Sequence, residues 1–200
     1  MKVVTEAKTK EEALKKALDE LKVNENEIFY KEESIKGKLF KSGSVKIYAY
    51  TDDEILESIK KFITEIVTNM GLEVNFETNI RDRQFNLKMF SSNNAILIGK
   101  NARTMKAIEM LARQKIQVEY GIRVRIFLDV ENYNEKRIKQ LERLAITTAK
   151  EVSRSKIEVA LDNMNSYERR IIHNKLVNFK GVTTISEGEE PNRHIIIKPE

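Results

Sequence analysis

Apolar and polar residues follow two different periods in the first fifty positions of the chain. They alternate in three short segments, which predicts strands, and apolar residues recur every three or four positions after Thr9, which predicts a helix. Thr9 and Glu12 have the spacing of a capping box that begins this helix. The strands are predicted at residues 2–7, 28–31 and 45–50, with a basic turn at 37–43. We therefore predict a β-α-β-β domain over residues 1–50.

A longer helical pattern opens the second unit. Thr51 and Glu54 form another capping box, and an apolar stripe continues from there to Gly71, a typical helix stop. Two alternating segments, a short apolar helix, a longer helix and a third alternating segment follow. They are predicted at about 72–76, 85–89, 94–98, 103–120 and 122–130. The order α-β-β-α-α-β predicts a second domain over residues 51–131.

The third unit begins with a long amphipathic helix from about Tyr133 to Ser155. A second helix is predicted between Ser166, its expected N-cap, and Gly181, its expected stop. Strands are predicted at 157–161, 182–187 and 194–198. These elements predict an α/β domain over residues 132–200. The fold class expected for the whole chain is α+β, in three small domains.

Composition narrows the classes of function. The chain has no cysteine, which excludes disulfides, thiolate zinc sites and a thiol nucleophile. It has no run of eighteen apolar residues and no apolar core of a signal peptide near its beginning, so we expect no membrane span and a cytoplasmic protein. The aromatic residues Phe85, Phe90 and Tyr120 are predicted to be packing residues. No P-loop, nucleophile elbow or paired-histidine metal motif is present, so we expect neither an enzyme nor a cofactor nor a bound metal.

Positive charge is concentrated in two parts of the chain. The net charge is only +5, but residues 81–125 carry ten Lys/Arg against three Asp/Glu, and residues 135–183 carry eleven against six. Such concentration over globular segments indicates an anionic polymer as partner. A solvated surface without a partner is the alternative.

The segment Gly99-Lys100-Asn101-Ala102 joins the two later helices of the second unit. A tight turn of this kind presents backbone N–H groups and the positive end of a helix dipole, Lys100 adds a full charge, and Gly99 lets a phosphate chain approach. These properties predict a phosphate site. The alternative is that Gly99 is only the C-cap of the preceding helix.

Arg169 and His173 are four residues apart in the last predicted helix. At that spacing they share one helix face, and Lys180 is predicted to lie on the same stripe. Such a cationic strip can hold a phosphate while the helix stays packed. The alternative is structural: Arg169 pairs with a nearby glutamate, and His173 is a hydrogen-bonded boundary residue.

The second unit, with its turn between helices, resembles a type II KH domain, and the segment around Arg169 and His173 resembles the R-three-H domain, named for an arginine, three residues and a histidine. In KH domains a GxxG loop grips about four nucleotides of a single strand. Here Ala102 replaces the last glycine. We expect alanine to suit the first helical turn there and its methyl group to restrict contact with the nucleic acid. The groove for bases is expected along Ile96, Ile98, Ala102, Met105 and Ile108, and the alternative is that most of these residues only pack in the core.

A β-α-β-β unit followed by KH-like and R-three-H units resembles the bacterial Jag (KhpB) family over essentially the whole chain. The segment 186–193 is especially characteristic, whereas 36–41 matches the family pattern poorly, and the long charged linker of many members is missing. The resemblance implies an RNA-binding regulator linked to cell elongation, cell-wall synthesis and division. The partners implied are single-stranded RNA or DNA, a small single-KH protein called KhpA, and a second copy in a homodimer.

The nucleic-acid contacts are predicted at residues of both later units. They are Gly99, Lys100, Asn101, Ala102, Arg103, Lys106, Arg123, Arg125, Arg169, Arg170, His173, Lys180 and Arg193. A protein-interaction scaffold with incidental RNA binding is the alternative function, and the substitution at Ala102 is the feature that favours it.

Overall fold

A computed structural model of the chain describes residues 2–36 and 43–200. The described residues combine six α-helices with three separate three-stranded sheets, so the predicted α+β class is confirmed. The chain divides into two compact units, whereas the sequence predicts three: from here on, the first unit is the part up to Glu131 and the second unit is Asn132–Glu200. The further division of the first unit at residue 50 stays a prediction. Most of the basic turn predicted at 37–43, and of the family segment at 36–41, lies outside the described residues.

The first unit begins with an antiparallel sheet that one helix covers. Its elements are β1 (Lys2–Ala7), α1 (Lys10–Leu21), β2 (Ile28–Ile35) and β3 (Ser44–Thr51), and the strand order is β1-β3-β2. The Thr9 side chain accepts the Glu12 N–H, as the capping box predicts. The core between α1 and the sheet is built from small and β-branched residues, among them Ala13, Ala17, Ile28, Ile47 and Ala49.

The KH-like part of the first unit has the predicted order α-β-β-α-α-β. Its elements are α2 (Asp52–Asn69), β4 (Val74–Arg81), β5 (Gln84–Ser91), α3 (Asn94–Ile98), α4 (Arg103–Tyr120) and β6 (Arg125–Val130). β5 is the middle strand, antiparallel to β4 and parallel to β6. Alternation along β5 buries Phe85, Leu87 and Met89 on one face. The helices cover that face.

Aromatic side chains join the two sheets of the first unit. Phe29 of β2 lies 5.7 Å from Phe85 of β5, measured between ring centroids. Tyr50 of β3 meets Tyr120, the last residue of α4, edge to face at 4.8 Å. Phe85 and Tyr120 are therefore packing residues, as predicted. Burial raises the pKa of the Tyr50 hydroxyl.

The second unit packs two helices against one antiparallel sheet. Its elements are α5 (Tyr133–Ser155), β7 (Val159–Ala160), α6 (Ser166–Leu176), β8 (Val182–Glu187) and β9 (His194–Pro199), in the strand order β7-β9-β8. The core contains Leu141, Val152, Ile172, Ile195 and Ile197, among others. The strand predicted at 157–161 is only two residues long. None of the helices among the described residues combines the length and the hydrophobicity that a membrane span requires.

Two sequence predictions about α6 are wrong. Its N-cap is Asn165, not Ser166. The Asn165 side chain accepts a hydrogen bond from the Glu168 N–H, and the Glu168 carboxylate accepts one from the Asn165 N–H. The helix ends at Leu176, where the Phe179 N–H donates to the Leu176 carbonyl at 2.9 Å and the chain turns. Lys180 therefore follows the helix and does not share a helical stripe with His173.

Candidate nucleic-acid interface

Gly99 occupies a position that only glycine fits. Its φ is +67°, and a Cβ built there would overlap the Thr104 Oγ1 and lie 2.8 Å from the Thr104 Cβ. The Gly99 N–H donates to the Ala95 carbonyl at 2.9 Å, so this residue also closes α3, as the simpler interpretation predicts. The two interpretations are compatible, because the same glycine ends one helix and allows the next to begin close by.

Ala102 adopts a different conformation from the one expected. Its φ of 59° and ψ of 21° are left-handed, so it is the N-cap of α4 and not part of the first helical turn. Asn101 before it is also left-handed, with a φ of 53°. Ala102 is only 4% exposed, which places its methyl group inside the domain. The expectation that alanine suits a helical turn is therefore wrong, and the methyl group is not on the surface of the turn.

Backbone N–H groups around this turn are already used within it. The Ala102 N–H donates to the Gly99 carbonyl at 3.3 Å, and the Arg103 N–H donates to the Lys100 carbonyl. These two groups are therefore not free donors for a phosphate. The side chains remain: Lys100, Arg103 and Lys106 are exposed.

These three cations form what we call the loop surface: Lys100 on the turn, and Arg103 and Lys106 on the first turn of α4. Residues 103 and 106 are three apart and lie on one face of the helix. The N-terminal end of the 18-residue helix α4 adds partial positive charge at the same place. The loop surface therefore concentrates positive charge, and with it the capacity to hold phosphate groups.

The predicted apolar groove is only partly present at the surface. Ile96 is 45% exposed and Ile98 is half-buried, whereas Ala102, Met105 and Ile108 belong to the core. Ile96 is thus the apolar side chain that the fold presents beside the turn.

Arg123 and Arg125 lie away from the loop surface. Arg125 pairs in register with Gln84 at the start of β5, while the turn follows the other end of that eight-residue strand, about 23 Å away at ~3.3 Å per residue. The Arg125 guanidinium donates to the Asp82 carbonyl. Arg123 lines a pocket with Met110 and Gln117 of α4. The structure does not bring these arginines together with Lys100.

Arg169 is buried in the second unit. It is 8% exposed, donates to the Met164 carbonyl at 2.8 Å and forms an ion pair with Glu190 at 2.9 Å. Met164 precedes α6, and Glu190 lies on the connection between β8 and β9, so one guanidinium joins two loops. This is the structural alternative that the sequence left open.

Glu168, which sequence reasoning missed, completes a buried network beside Arg169. Its carboxylate accepts from the Arg137 Nε at 2.8 Å and from the Asn165 N–H at 3.1 Å. Arg137 comes from α5, so the ion pair ties the start of α6 to the neighbouring helix. The spacing of Asn165 and Glu168, that of a capping box, was the available signal.

His173 and Arg193 meet the same edge strand. The His173 Nδ1 lies 2.7 Å from the Thr184 Oγ1, and the Arg193 Nε donates to the Ser186 Oγ at 3.0 Å. Thr184 and Ser186 are two residues apart on β8, so they point to the same face, about 7 Å from each other.

We call His173 and Arg193 the β8-edge surface. Both are exposed, as are Arg170 on α6 and Lys180 in the turn after it. Of the residues predicted in this unit, His173 and Arg193 are brought together. Arg169 contributes indirectly, because its ion pair with Glu190 fixes the segment between β8 and β9 that contains Arg193.

Two family models match successive segments of the chain. The model of the KH domain family matches residues 54–137, and that of the R-three-H domain family matches residues 139–199. The RNA-binding protein KhpB of Clostridium symbiosum is 36% identical over 98% of this chain and 90% of its own length. The RNA-binding protein KhpB of Lactiplantibacillus plantarum is 32% identical, and that of Bacillus subtilis is 38% identical. The matches cover 73% and 52% of this chain, and 45% and 50% of those two proteins.

Proposed function

We propose that this chain, which belongs to the KhpB (Jag) family, is an RNA-binding regulatory protein that holds a single strand at the loop surface and at the β8-edge surface. The observation that carries the proposal is the cluster of Lys100, Arg103 and Lys106 around a glycine-dependent turn at the start of α4. The KH match over residues 54–137 includes this turn.

At the loop surface, phosphates meet side-chain cations. The ammonium groups act as point charges, and the Arg103 guanidinium can bind phosphate oxygens with two N–H groups. Ile96 gives a base an apolar neighbour. Because the Ala102 methyl group is buried, the replacement of the last loop glycine does not favour a scaffold over an RNA-binding protein.

At the β8-edge surface, the spacing of two donors suits adjacent phosphates. A neutral His173 whose Nδ1 accepts from the Thr184 hydroxyl carries its proton on Nε2, where it can donate to a phosphate oxygen. Arg193 uses Nε for Ser186 and keeps its terminal N–H groups for a second phosphate. Arg170 and Lys180 extend the positive charge.

The test is fluorescence anisotropy of a labelled single-stranded RNA over a salt series, with single-stranded DNA of the same sequence as a second arm. A Lys100→Gln/Arg103→Gln/Lys106→Gln variant should weaken binding and lower the salt slope by about 2, since each phosphate contact contributes about 0.7. The matched control removes equal charge elsewhere, in Lys8→Gln/Lys15→Gln/Lys61→Gln, and should keep the slope. Equal slopes in both variants would contradict the loop surface.

The finer parts of the proposal have two sources. Partnership with the single-KH protein KhpA or with a second copy, and a role in cell elongation, cell-wall synthesis and division, rest on family resemblance. Action in the cytoplasm and the absence of catalytic activity rest on the composition and motifs of the sequence. Co-purification with KhpA after nuclease treatment tests whether such a complex depends on RNA, and an ATP and RNA hydrolysis assay tests for catalysis.

A further inference from the structure

The first sheet has one face that α1 does not cover. Tyr48 lies on that face, on the central strand β3. In the strand register, Val4 of β1 is opposite Tyr48 on one side, and Lys31 of β2 is opposite it on the other. The centre of the uncovered face is therefore an aromatic ring.

Three lysines surround the Tyr48 ring. The Nζ atoms of Lys2, Lys31 and Lys46 lie 5.9, 5.8 and 5.4 Å from the ring centroid. Two carboxylates of this face, Glu6 and Glu33, are opposite Lys46 in the strand register, and each accepts a hydrogen bond from a hydroxyl group: Glu33 from Tyr48 at 3.1 Å, and Glu6 from Ser44. Within residues 2–36 and 43–200, no carboxylate lies within ion-pair distance of the three ammonium groups.

One end of the same face continues into the KH-like part of the unit. Tyr50, two residues from Tyr48, packs against Tyr120 at the end of α4. The carbon chain of Lys31 lies over Gly121, where a Cβ would approach the Lys31 Cδ to 2.7 Å. The exposed part around Tyr48 is thus fixed to the domain that carries the loop surface, at the opposite end of an 18-residue helix about 26 Å long.

We propose that this face, the Tyr48 platform formed by Tyr48, Lys2, Lys31 and Lys46, is a further binding site for single-stranded nucleic acid. A base stacks on the Tyr48 ring, and the lysines turn from the ring to the phosphates on either side. The base–aromatic stack and the new lysine–phosphate contacts together replace the three solvent-exposed cation–π contacts that the lysines give up. The inference rests on the proposed RNA binding and extends its path to the N-terminal sheet.

Nucleic acid fits this face better than a protein does. A stable protein interface needs an apolar core, and among the residues of this face that the structure describes, the exposed large apolar side chains besides Tyr48 are Val4, 44% exposed, and Ile35, 40% exposed. One ring among three cations matches instead the repeating unit of a single strand, a planar base between two phosphates. Sequence-tolerant binding is expected, because every base has a π-face.

The experiment compares two RNA lengths by anisotropy. An RNA of about four nucleotides, the length that a KH loop holds, cannot reach both ends of α4, whereas a long unstructured RNA can. Tyr48→Ala should weaken binding of the long RNA roughly 5- to 150-fold and leave the short RNA unaffected. Tyr48→Phe keeps the ring and should bind both like the wild type.

The lysines are tested separately, because Tyr48→Ala can also disturb the sheet. Lys2→Gln/Lys31→Gln/Lys46→Gln should keep the thermal unfolding midpoint and lower the salt slope for the long RNA by about 2. Lys8→Gln/Lys15→Gln/Lys61→Gln is again the control of equal charge. Crosslinking of 4-thiouridine RNA to a peptide containing Tyr48 is the direct readout, with single-stranded DNA as competitor to separate ribose from deoxyribose strands.

The outcomes separate this proposal from the general one. If the loop-surface variant loses affinity while the Tyr48 and lysine variants bind the long RNA like the wild type, the platform is not a nucleic-acid site. The same follows if the lysine variant loses capture of a protein partner with its RNA affinity intact. If the wild type binds neither strand, the proposed function itself is wrong.

Discussion

The guanidinium of Arg83 lies 4.4 Å from the centre of the Phe29 ring and donates to the Ile28 carbonyl at 2.8 Å. Arg83 belongs to the turn between β4 and β5, and Phe29 belongs to β2, so this contact joins the two sheets of the first unit. Both residues of the turn, Asp82 and Arg83, have positive φ angles, 50° and 59°. The turn conformation therefore directs the arginine toward the N-terminal sheet.

Replacing Arg83 with alanine should destabilise the first unit by about 1–2 kcal/mol, since a charged hydrogen bond and a cation–π contact are lost together. Alanine bears the same positive φ penalty, so the backbone is matched. Arg83→Lys keeps the charge but not the planar stacking, so its stability should lie between those of the wild type and Arg83→Ala. Urea unfolding measures the effect, and equal midpoints for all three proteins would show that the contact contributes nothing.

Asp52, the first residue of α2, should make stability depend on pH through the same arginine. Burial raises the pKa of the Asp52 carboxyl, and the positive charge of Arg83 opposes that rise. A folded-state pKa above the ordinary value of about 3.9 means that the folded protein binds the proton more tightly. Stability is therefore lost as the pH rises from about 3.9 through the folded-state pKa.

Arg83→Met should raise the pKa of Asp52 further and extend that loss to higher pH. The measurement is a carbon-13 NMR titration of the Asp52 carboxyl in both proteins, with Asp52→Asn as the variant that lacks the transition. A pKa that stays unchanged or falls in Arg83→Met contradicts the role given to the arginine.

Gly99→Ala should destabilise the KH-like part by 2 kcal/mol or more, on the order of the positive-φ penalty plus the clash with Thr104. The clash is not with a flexible side-chain end alone, because the Thr104 Cβ and backbone N would also lie within 3.1 Å. Thermal unfolding measures the change, and RNA affinity should fall with the distorted turn. A variant with wild-type stability would show that the turn relaxes without cost.

Ala102→Gly is expected to be nearly neutral. Relief of the positive-φ penalty, about 1–2 kcal/mol, is offset by about 0.8 kcal/mol for the lost buried methyl group and about 0.4–1 kcal/mol of chain entropy. Because the methyl group is buried, RNA affinity should also stay within about twofold of the wild-type value, well below the tenfold change that about 1.4 kcal/mol represents. A large gain in affinity would mean that the methyl group does obstruct the strand.

Two neighbouring arginines of α6 should behave oppositely. Arg169→Ala removes the bonds to Met164 and Glu190 and should cost about 2–3 kcal/mol, because the buried Met164 carbonyl loses its donor. Arg170→Ala should leave stability unchanged within about 0.5 kcal/mol and lower the salt slope for RNA by about 0.7. Chemical unfolding measures the stability of both variants, and anisotropy over a salt series measures their RNA binding. If Arg169→Ala lost RNA affinity without losing stability, Arg169 would be an RNA contact and not a structural residue.

Sequence periodicity predicted the order of helices and strands because each element has one apolar face. It failed at the end of α6, since Ile172, Leu176 and Phe179 have helical spacing, although Phe179 reaches the core by a turn. The contacts of the functional residues were harder to predict. The partner of Arg169 is 21 positions away, and no local pattern selects Glu190 over another glutamate.

The turn at Ala102 shows the same limit for the backbone. Alanine is a strong helix former, so its propensity predicts a helical residue, whereas the structure has Ala102 as the left-handed N-cap of α4. The Tyr48 platform was not predicted from the sequence either. The strand period places Tyr48 and Lys46 on one face, but only the pairing of three strands brings Lys2 and Lys31 beside them.

β3 ends at Thr51 and α2 begins at Asp52, so no spacer separates the N-terminal sheet from the helix that follows. A fragment cut at this junction would present Phe85 and Tyr120 to solvent without Phe29 and Tyr50, and two new apolar surfaces would favour aggregation. Studies that dissect the protein into separately expressed pieces are therefore best served by keeping everything up to Glu131 together.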